Sequence, residues 1–323
     1  MNNNTVLVPG GAGFIGSNVV FELLERGFDV IALDDLCTGI NNLKGIKHPN
    51  LRFVIGDIRD VELIDGIMSE CDYVINLACR VIAASLADPY GDLEVNAKGT
   101  LILLESAKKH GVKSFVYASS ASVYGDSGGL KMSETLVPNP SNPYAISKMT
   151  GEHYTKFYHN VHGLNTVSLR YFNVYGPHQN PHSVYGGVVP IYCNSLKNNE
   201  PLRIYGNGEQ TRDFTYVKDV ARITVDCMLN QDSYGSVFNV GFGEETSIND
   251  LVKSFQKIKD TGVKFAENRK IDNVTRRESD CSFIKEKLGY QCEMPLNEGI
   301  EITYNWYLNN DTKTNKIIKN EIS

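Results

Sequence analysis

The chain has 323 residues, 41% of them hydrophobic, and a formal net charge of −6. That is enough apolar material for one large domain or two modest ones with a proper core. The acidic balance, with no long basic run, argues against nucleic acid and anionic membrane surfaces as partners, and no apolar run is long enough to span a bilayer.

Thr5-Val6-Leu7-Val8 is a short apolar run ending in Pro9-Gly10-Gly11-Ala12-Gly13-Phe14-Ile15-Gly16. A helical pattern follows through Arg26 and is closed by Gly27. A second run, Val30-Ile31-Ala32-Leu33, ends in Asp34. Strand, glycine turn, helix, strand and acid make a βαβ unit. Glycines let the backbone turn tightly and approach a pyrophosphate, and the N–H groups opening the helix point at that anion. A carboxylate at Asp34 suits a ribose diol. With its neighbour Asp35 it repels a 2′-phosphate, so NAD is expected rather than NADP.

The alternation continues with a strand at Leu51 to Ile55. Asp57 and Ile58 follow it, either as an adenine contact or as an ordinary strand-end turn. A short helix is expected over Asp60 to Met68, a strand from Tyr73 to Ala78 with Asn76 at its end, a long helix over about Asp92 to His110, and a strand at Phe115 to Ala118. Near-continuous apolar strands alternating with helices predict an α/β fold with a parallel, doubly wound sheet of Rossmann type. Ligands in such sheets sit outside the carboxyl ends of the strands, where every residue singled out so far falls.

The next strand end reads Ser119-Ser120-Ala121-Ser122-Val123-Tyr124-Gly125, and Pro143 opens a helix carrying Tyr144 and Lys148. Pro suits a first helical turn, and positions four apart share a face. A phenol and an ammonium then stand side by side. The ammonium is expected to lower the phenol's pKa and make Tyr144 a general base, with Ser120 beside it. After Leu169 the strands shorten and the loops grow, through Arg170 to Pro177, Tyr185 to Pro190, Ile204 to Gly208 and Thr211 to Phe214. This reads as a smaller carboxy-terminal lobe for a second, phosphorylated ligand. The expected division is a dinucleotide-binding domain over 1–170, rejoined by 219–246, a lobe over 171–218 and 247–310, and a polar tail over 311–323. Seven scattered cysteines without a C-x-x-C pair suggest neither zinc nor a disulfide framework, so no metal is expected. With no signal peptide apparent, the reading is a cytoplasmic protein.

These motifs together resemble the extended short-chain dehydrogenase/reductases that act on nucleotide sugars, above all the NAD-dependent UDP-sugar 4-epimerases. They are Gly-Gly-Ala-Gly-Phe-Ile-Gly, Ser-Ser-Ala-Ser-Val-Tyr-Gly, Tyr-x-x-x-Lys, Arg-Tyr-Phe-Asn-Val-Tyr-Gly-Pro and Gln-Thr-Arg-Asp-Phe-Thr-Tyr-Val. The resemblance implies a catalytic trio of Ser120, Tyr144 and Lys148. It implies a dinucleotide loop of Gly10, Gly13 and Gly16, with Phe14 and Ile15 giving N–H groups to phosphate. It puts Asp34 on the adenosine ribose, Asp57 and Ile58 at the adenine, and Asn76 and Ala78 along the groove. Asn173, Val188, Tyr205, Arg212 and one cation from Lys270, Arg276 and Arg277 fall to a UDP-sugar substrate, with Arg277 preferred. It also implies a homodimer packed through two long helices.

Three features depart from the pattern: Pro9 before the glycine loop, His178 after Gly176-Pro177, and Cys79-Arg80 beside Ala78. The last two are expected near the sugar pocket. The nearest rival is a 4,6-dehydratase, which resembles this family but carries Asp-Glu where this chain has Ala121 and Ser122. His178 and Glu134 are the residues to inspect for a substitute acid. A decarboxylase, a uronic acid epimerase and a non-catalytic NAD-binding regulator are further alternatives.

Overall fold

The first strand, Thr5–Pro9, is fully apolar at its centre. Val6 and Val8 pack on one face of a sheet and Leu7 on the other, and all three are buried. Burying a side chain of this size is worth about 1.5–3 kcal/mol, and burial on both faces is what a parallel sheet asks of its strands. The structure, a computed structural model, describes residues 4–181, 187–267 and 274–321, with side chains to residue 310. Among them, seven parallel strands form the main sheet in the order Val237–Val240, Thr166–Tyr171, Ser114–Ser120, Tyr73–Asn76, Thr5–Pro9, Asp29–Asp34, Leu51–Ile55.

Helices Phe14–Glu25 and Val217–Leu229 pack together on one face. Val61–Met68 and Thr100–His110 cover the other, with Pro143–His162 beside them. The sheet is therefore doubly wound, as expected. Strand order reverses between Thr5–Pro9 and Tyr73–Asn76, which makes a crevice at their carboxyl ends. Sequence signals set the helix ends. Asp60 and Asn142 cap the helices that follow them by accepting from Leu63 and Ala145 N–H, and Gly163, at a φ of 70°, closes the long helix.

The helix expected over 92–110 is not uniform. Leu93–Gly99 is a wide π-type stretch before the α-helix Thr100–His110 begins. There the Asn96 amide donates to Asp92, Ser147 and the Arg80 carbonyl and accepts from the Arg80 N–H, so one buried side chain ties four segments together. Such stretches concentrate at functional sites.

The carboxy-terminal part builds a core of its own from Tyr192, Leu196, Leu202, Phe214, Leu251, Phe255 and Ile300. It carries three two-stranded pairings: Val174–Tyr175 with Thr215–Tyr216, Thr211–Arg212 with Thr246–Ser247, and Leu202–Tyr205 with Val263–Ala266. Strand Val237–Val240 returns to the main sheet beside Thr166–Tyr171. The last helix, Leu296–Glu321, takes in much of the polar stretch read above as a tail. No helix among the described residues is long and apolar enough to cross a membrane.

Candidate active site

The glycine loop forms a cradle whose three key glycines differ in what they tolerate. Gly10 has a φ of 78°, and a Cβ there would meet the Ala78 N atom at 2.7 Å. A Cβ on Gly16 would sit 1.9 Å from the Gly10 carbonyl oxygen. Both sites are closed to side chains by the protein itself. Gly13 is different: its φ is −70° and a Cβ would meet only the Gly10 carbonyl, at 3.3 Å. The space over Gly13 is open, at the start of helix Phe14–Glu25, where unpaired N–H groups favour an anion.

Asp34 ends the second strand. Its carboxylate accepts from the Ala12 N–H at 3.0 Å and the Leu36 N–H at 2.9 Å, so it braces the loop as well as facing the crevice. Burial pushes its pKa up, against the backbone N–H groups that hold it down. Asp57 pairs with Arg59, which lowers its pKa, and Ile58 is buried against Gly99. Asn76 is buried too. Its amide accepts from Ala78 N–H and donates to Thr100, so it acts on the groove by fixing the backbone at Ala78.

Tyr144, Lys148 and Ser120 come together as the spacing predicts. The Ser120 hydroxyl lies near enough to the Tyr144 phenol to act on its pKa, in the lowering direction. Ser120 Oγ also donates to Ser122 Oγ at 3.1 Å and accepts from the Ser122 N–H. The pKa expectation is reversed. Burial, then the neighbouring Cys79, push the Tyr144 phenol well above the ordinary tyrosine value, against Ser120 and the Arg277 charge. The Lys148 Nζ lies 5.7 Å from the Tyr144 ring centre and donates to the Ala118 carbonyl at 2.7 Å. Lys148 is only 2% exposed. An ammonium has three donors, so two remain for a ligand. Beneath it lies the Tyr117 ring, which fits only because position 151 is glycine: a Cβ there would meet Tyr117 Oη at 2.2 Å.

A cavity of about 680 Å³ opens in the carboxy-terminal part; none of the trio lines it, but Arg277, whose charge acts on the Tyr144 phenol, does. Asn173, Val188, Tyr205, Arg212 and Arg277, all anticipated from the sequence, line it. The buried Asn173 Oδ1 has no hydrogen-bond partner among the described residues, an unmet acceptor at a cavity wall. Arg203 and Gln210 also line it and were missed. Arg203 sits in a short strand with no motif around it; Gln210 begins the Gln-Thr-Arg-Asp-Phe run and was legible there. Arg276, the neighbour of Arg277, is tied instead to Glu245 at 2.6 Å and Glu278 at 3.1 Å. Lys270 lies outside the described residues.

His178 does not line this cavity. Its ring packs between Phe21 and Trp306, and burial lowers its pKa to about 4. Glu134 accepts from the Asn239 N–H at 2.7 Å and does not line the cavity. Arg80 pairs with Asp88 at 3.0 Å rather than facing the cavity, whereas Cys79 does lie near the Tyr144 phenol.

Comparison with known proteins agrees with this geometry. Residues 6–241 match the NAD dependent epimerase/dehydratase family. The UDP-glucose 4-epimerase of Mycolicibacterium smegmatis is 36% identical, over 94% of this chain and 98% of that one. The dTDP-glucose 4,6-dehydratase of Streptomyces antibioticus is 34% identical, over 94% and 92%. The crystal structure of Thermotoga maritima UDP-glucose 4-epimerase with UDP-glucose superposes with a TM-score of 0.88 at 36% identity, covering 94% and 98%. The closed glycines, the open space over Gly13 and the spare donors of Lys148 all fit a dinucleotide. The chain belongs to the NAD dependent epimerase/dehydratase family, and its cofactor is NAD.

Proposed function

We propose that this enzyme interconverts the C4 epimers of a UDP-hexose, UDP-glucose and UDP-galactose or their N-acetyl forms, through a transient 4-keto sugar. The observation that carries the reading is the strand-end turn. It brings a hydroxyl, Ser120, to the Tyr144 phenol and carries no carboxylate. Ala121 and Ser122 are buried there, Ser122 as a partner of Ser120. A dehydratase must protonate the departing 6-hydroxyl; an epimerase expels nothing.

Tyr144 takes the proton of the 4-hydroxyl, with Ser120 relaying it, as the C4–H bond breaks. Bound NAD would supply the redox chemistry, as acceptor and then donor of the C4 hydride. Tyr144 gives the same proton back when the carbonyl is reduced from its opposite face, so the reaction closes with no net redox change. Burial pushes the phenol's pKa up, and the Ser120 hydroxyl and the Arg277 charge act the other way. Lys148 offers its spare N–H groups to the cofactor ribose. Arg212 and Arg277 suit the diphosphate, since a guanidinium fork pairs with phosphate oxygens, and Asn173 Oδ1 accepts from the sugar nucleotide. The test is a panel of UDP-sugars with product separation. C4 epimers should form with no net gain of NADH absorbance.

We also infer a homodimer. Leu93, Ile146, Phe157 and Val161 are exposed apolar side chains on the two neighbouring helical segments. The last three recur at turn spacing on helix Pro143–His162, which supports pairing of these helices about a twofold axis. Light scattering at micromolar concentration should give twice the chain mass; a monomer would count against it.

A further inference from the structure

Helix Pro143–His162 carries a third polar residue on the face of Tyr144 and Lys148. Four residues past Lys148 stands Glu152, 3% exposed. Its Oε1 accepts from Ser119 Oγ at 2.5 Å and Arg170 Nε at 2.9 Å, and its Oε2 from Arg170 Nη2 at 2.7 Å. Ser119, Arg170 and Asn239 are register partners across three adjacent strands. The Arg170 guanidinium lies 4.7 Å from the Tyr124 ring centre, and Tyr124 donates to Asn239 at 2.7 Å. A buried polar row thus runs from the catalytic helix across the sheet, touching the residue before Ser120 and the tyrosine that ends its turn.

A buried ion pair is rarely the cheapest way to stabilise a fold. This one is held by two Arg170–Glu152 hydrogen bonds and one from Ser119, leaves Arg170 Nη1 without a partner among the described residues, and lies two turns from the phenol. We propose that Glu152 and Arg170 are positioning residues that fix Tyr144 and Lys148 against Ser120 and set the charge under the site. The proposal rests on the epimerase reading in that Tyr144 is the base. With the pair intact, the Lys148, Glu152 and Arg170 charges sum to one positive. Breaking it changes that sum. The other groups facing the phenol are Cys79, Asp92, Arg277, Tyr117 and Ser120, and they stay in place.

The test is an ultraviolet phenolate titration of the NAD-loaded enzyme, taken as the difference from Tyr144→Phe, with no substrate present. Glu152→Gln removes a negative charge and should lower the Tyr144 pKa. Arg170→Met removes a positive charge and should raise it. The Glu152→Gln shift should be about 0.5–1 unit, for a charge about 12 Å along the helix in an effective dielectric of about 20, and the Arg170→Met shift of similar size, since Arg170 is in contact with Glu152. The neutral pair Glu152→Gln with Arg170→Met should return the value to that of wild type, and it decides the matter if Arg170→Met does not fold. The limb of the kcat–pH profile should move with the titration while KM stays. Equal pKa values in all variants, with only lost thermal stability, would overturn the proposal and leave a structural role. A wild type that titrates as described but turns over no UDP-sugar would overturn the epimerase reading instead.

Discussion

Gly13 and Gly16 lie three residues apart in one loop, and the structure assigns their substitution opposite consequences. On helix propensity alone, Ala for Gly should help by about 1 kcal/mol at Gly16, inside helix Phe14–Glu25, but not at Gly13, which is that helix's N-cap. At Gly16 the added Cβ would lie 1.9 Å from the Gly10 carbonyl oxygen, where real contacts do not fall under 3.0 Å. The loop must open by about 1 Å, which overrides the propensity gain and unseats the backbone at Gly10 and Gly11 as well. Gly16→Ala should therefore lose stability even without cofactor, by roughly 1–3 kcal/mol. At Gly13 the protein itself leaves room, with one contact at 3.3 Å. Gly13→Ala should melt within about 0.5 kcal/mol of wild type as apo-protein. Its methyl instead occupies the ligand's space. Losing one or two charge-assisted hydrogen bonds at about 1.5–3 kcal/mol each predicts an NAD affinity down by roughly 10- to 10⁴-fold. Thermal melts of apo-protein and NAD titrations by calorimetry read the two quantities separately. An apo-Gly13→Ala protein as unstable as Gly16→Ala, or one that binds NAD normally, would refute this account of the loop.

Tyr144→Phe should keep NAD and lose turnover by about 10²- to 10⁴-fold, the usual cost of a general base; near-normal kcat would remove Tyr144 from that role. Arg212→Met should raise the KM for UDP-sugar by about 10-fold or more, as one charged hydrogen bond to phosphate is lost, whereas Arg276→Met, whose charge is held by Glu245 and Glu278, should leave KM within about twofold; comparable effects from the two would contradict the placement of the cavity. His178, depressed from 6.5 to about 4 by burial, takes up its proton more readily when unfolded. Its contribution is intact above pH 6.5 and is lost as pH falls toward 4, worth roughly 1–3 kcal/mol. A stability–pH curve for His178→Asn should be flatter than wild type over that window, and parallel curves would count against it.

Much of this was legible in the sequence. Glycine spacing, apolar strand runs and the Tyr-x-x-x-Lys interval are local, and local rules place Gly10, Gly16, Tyr144 and Lys148 where they stand. What the sequence hid depends on partners distant along the chain. The phenol's pKa turned first on burial and on Cys79, a residue from a distant strand end, rather than on the helical spacing. His178 follows Gly176-Pro177 near the cavity in sequence, yet packs on Trp306 from the last helix. Arg276 and Arg277 alternate in direction, and only the fold shows which of them meets Glu245. The wide stretch at Leu93–Gly99 was invisible because its helical pattern is ordinary; the demands on Asn96 come from three other segments.

The central claim is that hydride leaves C4 and returns to C4 with nothing expelled. Incubation with UDP-glucose deuterated at C4, followed by mass spectrometry and proton spectra of the sugar nucleotides, tests it most directly. The predicted result is a mixture of C4 epimers of unchanged mass, each with its deuterium still at C4. A product lighter by one water, with deuterium moved to C6, would contradict the account and make the enzyme a dehydratase.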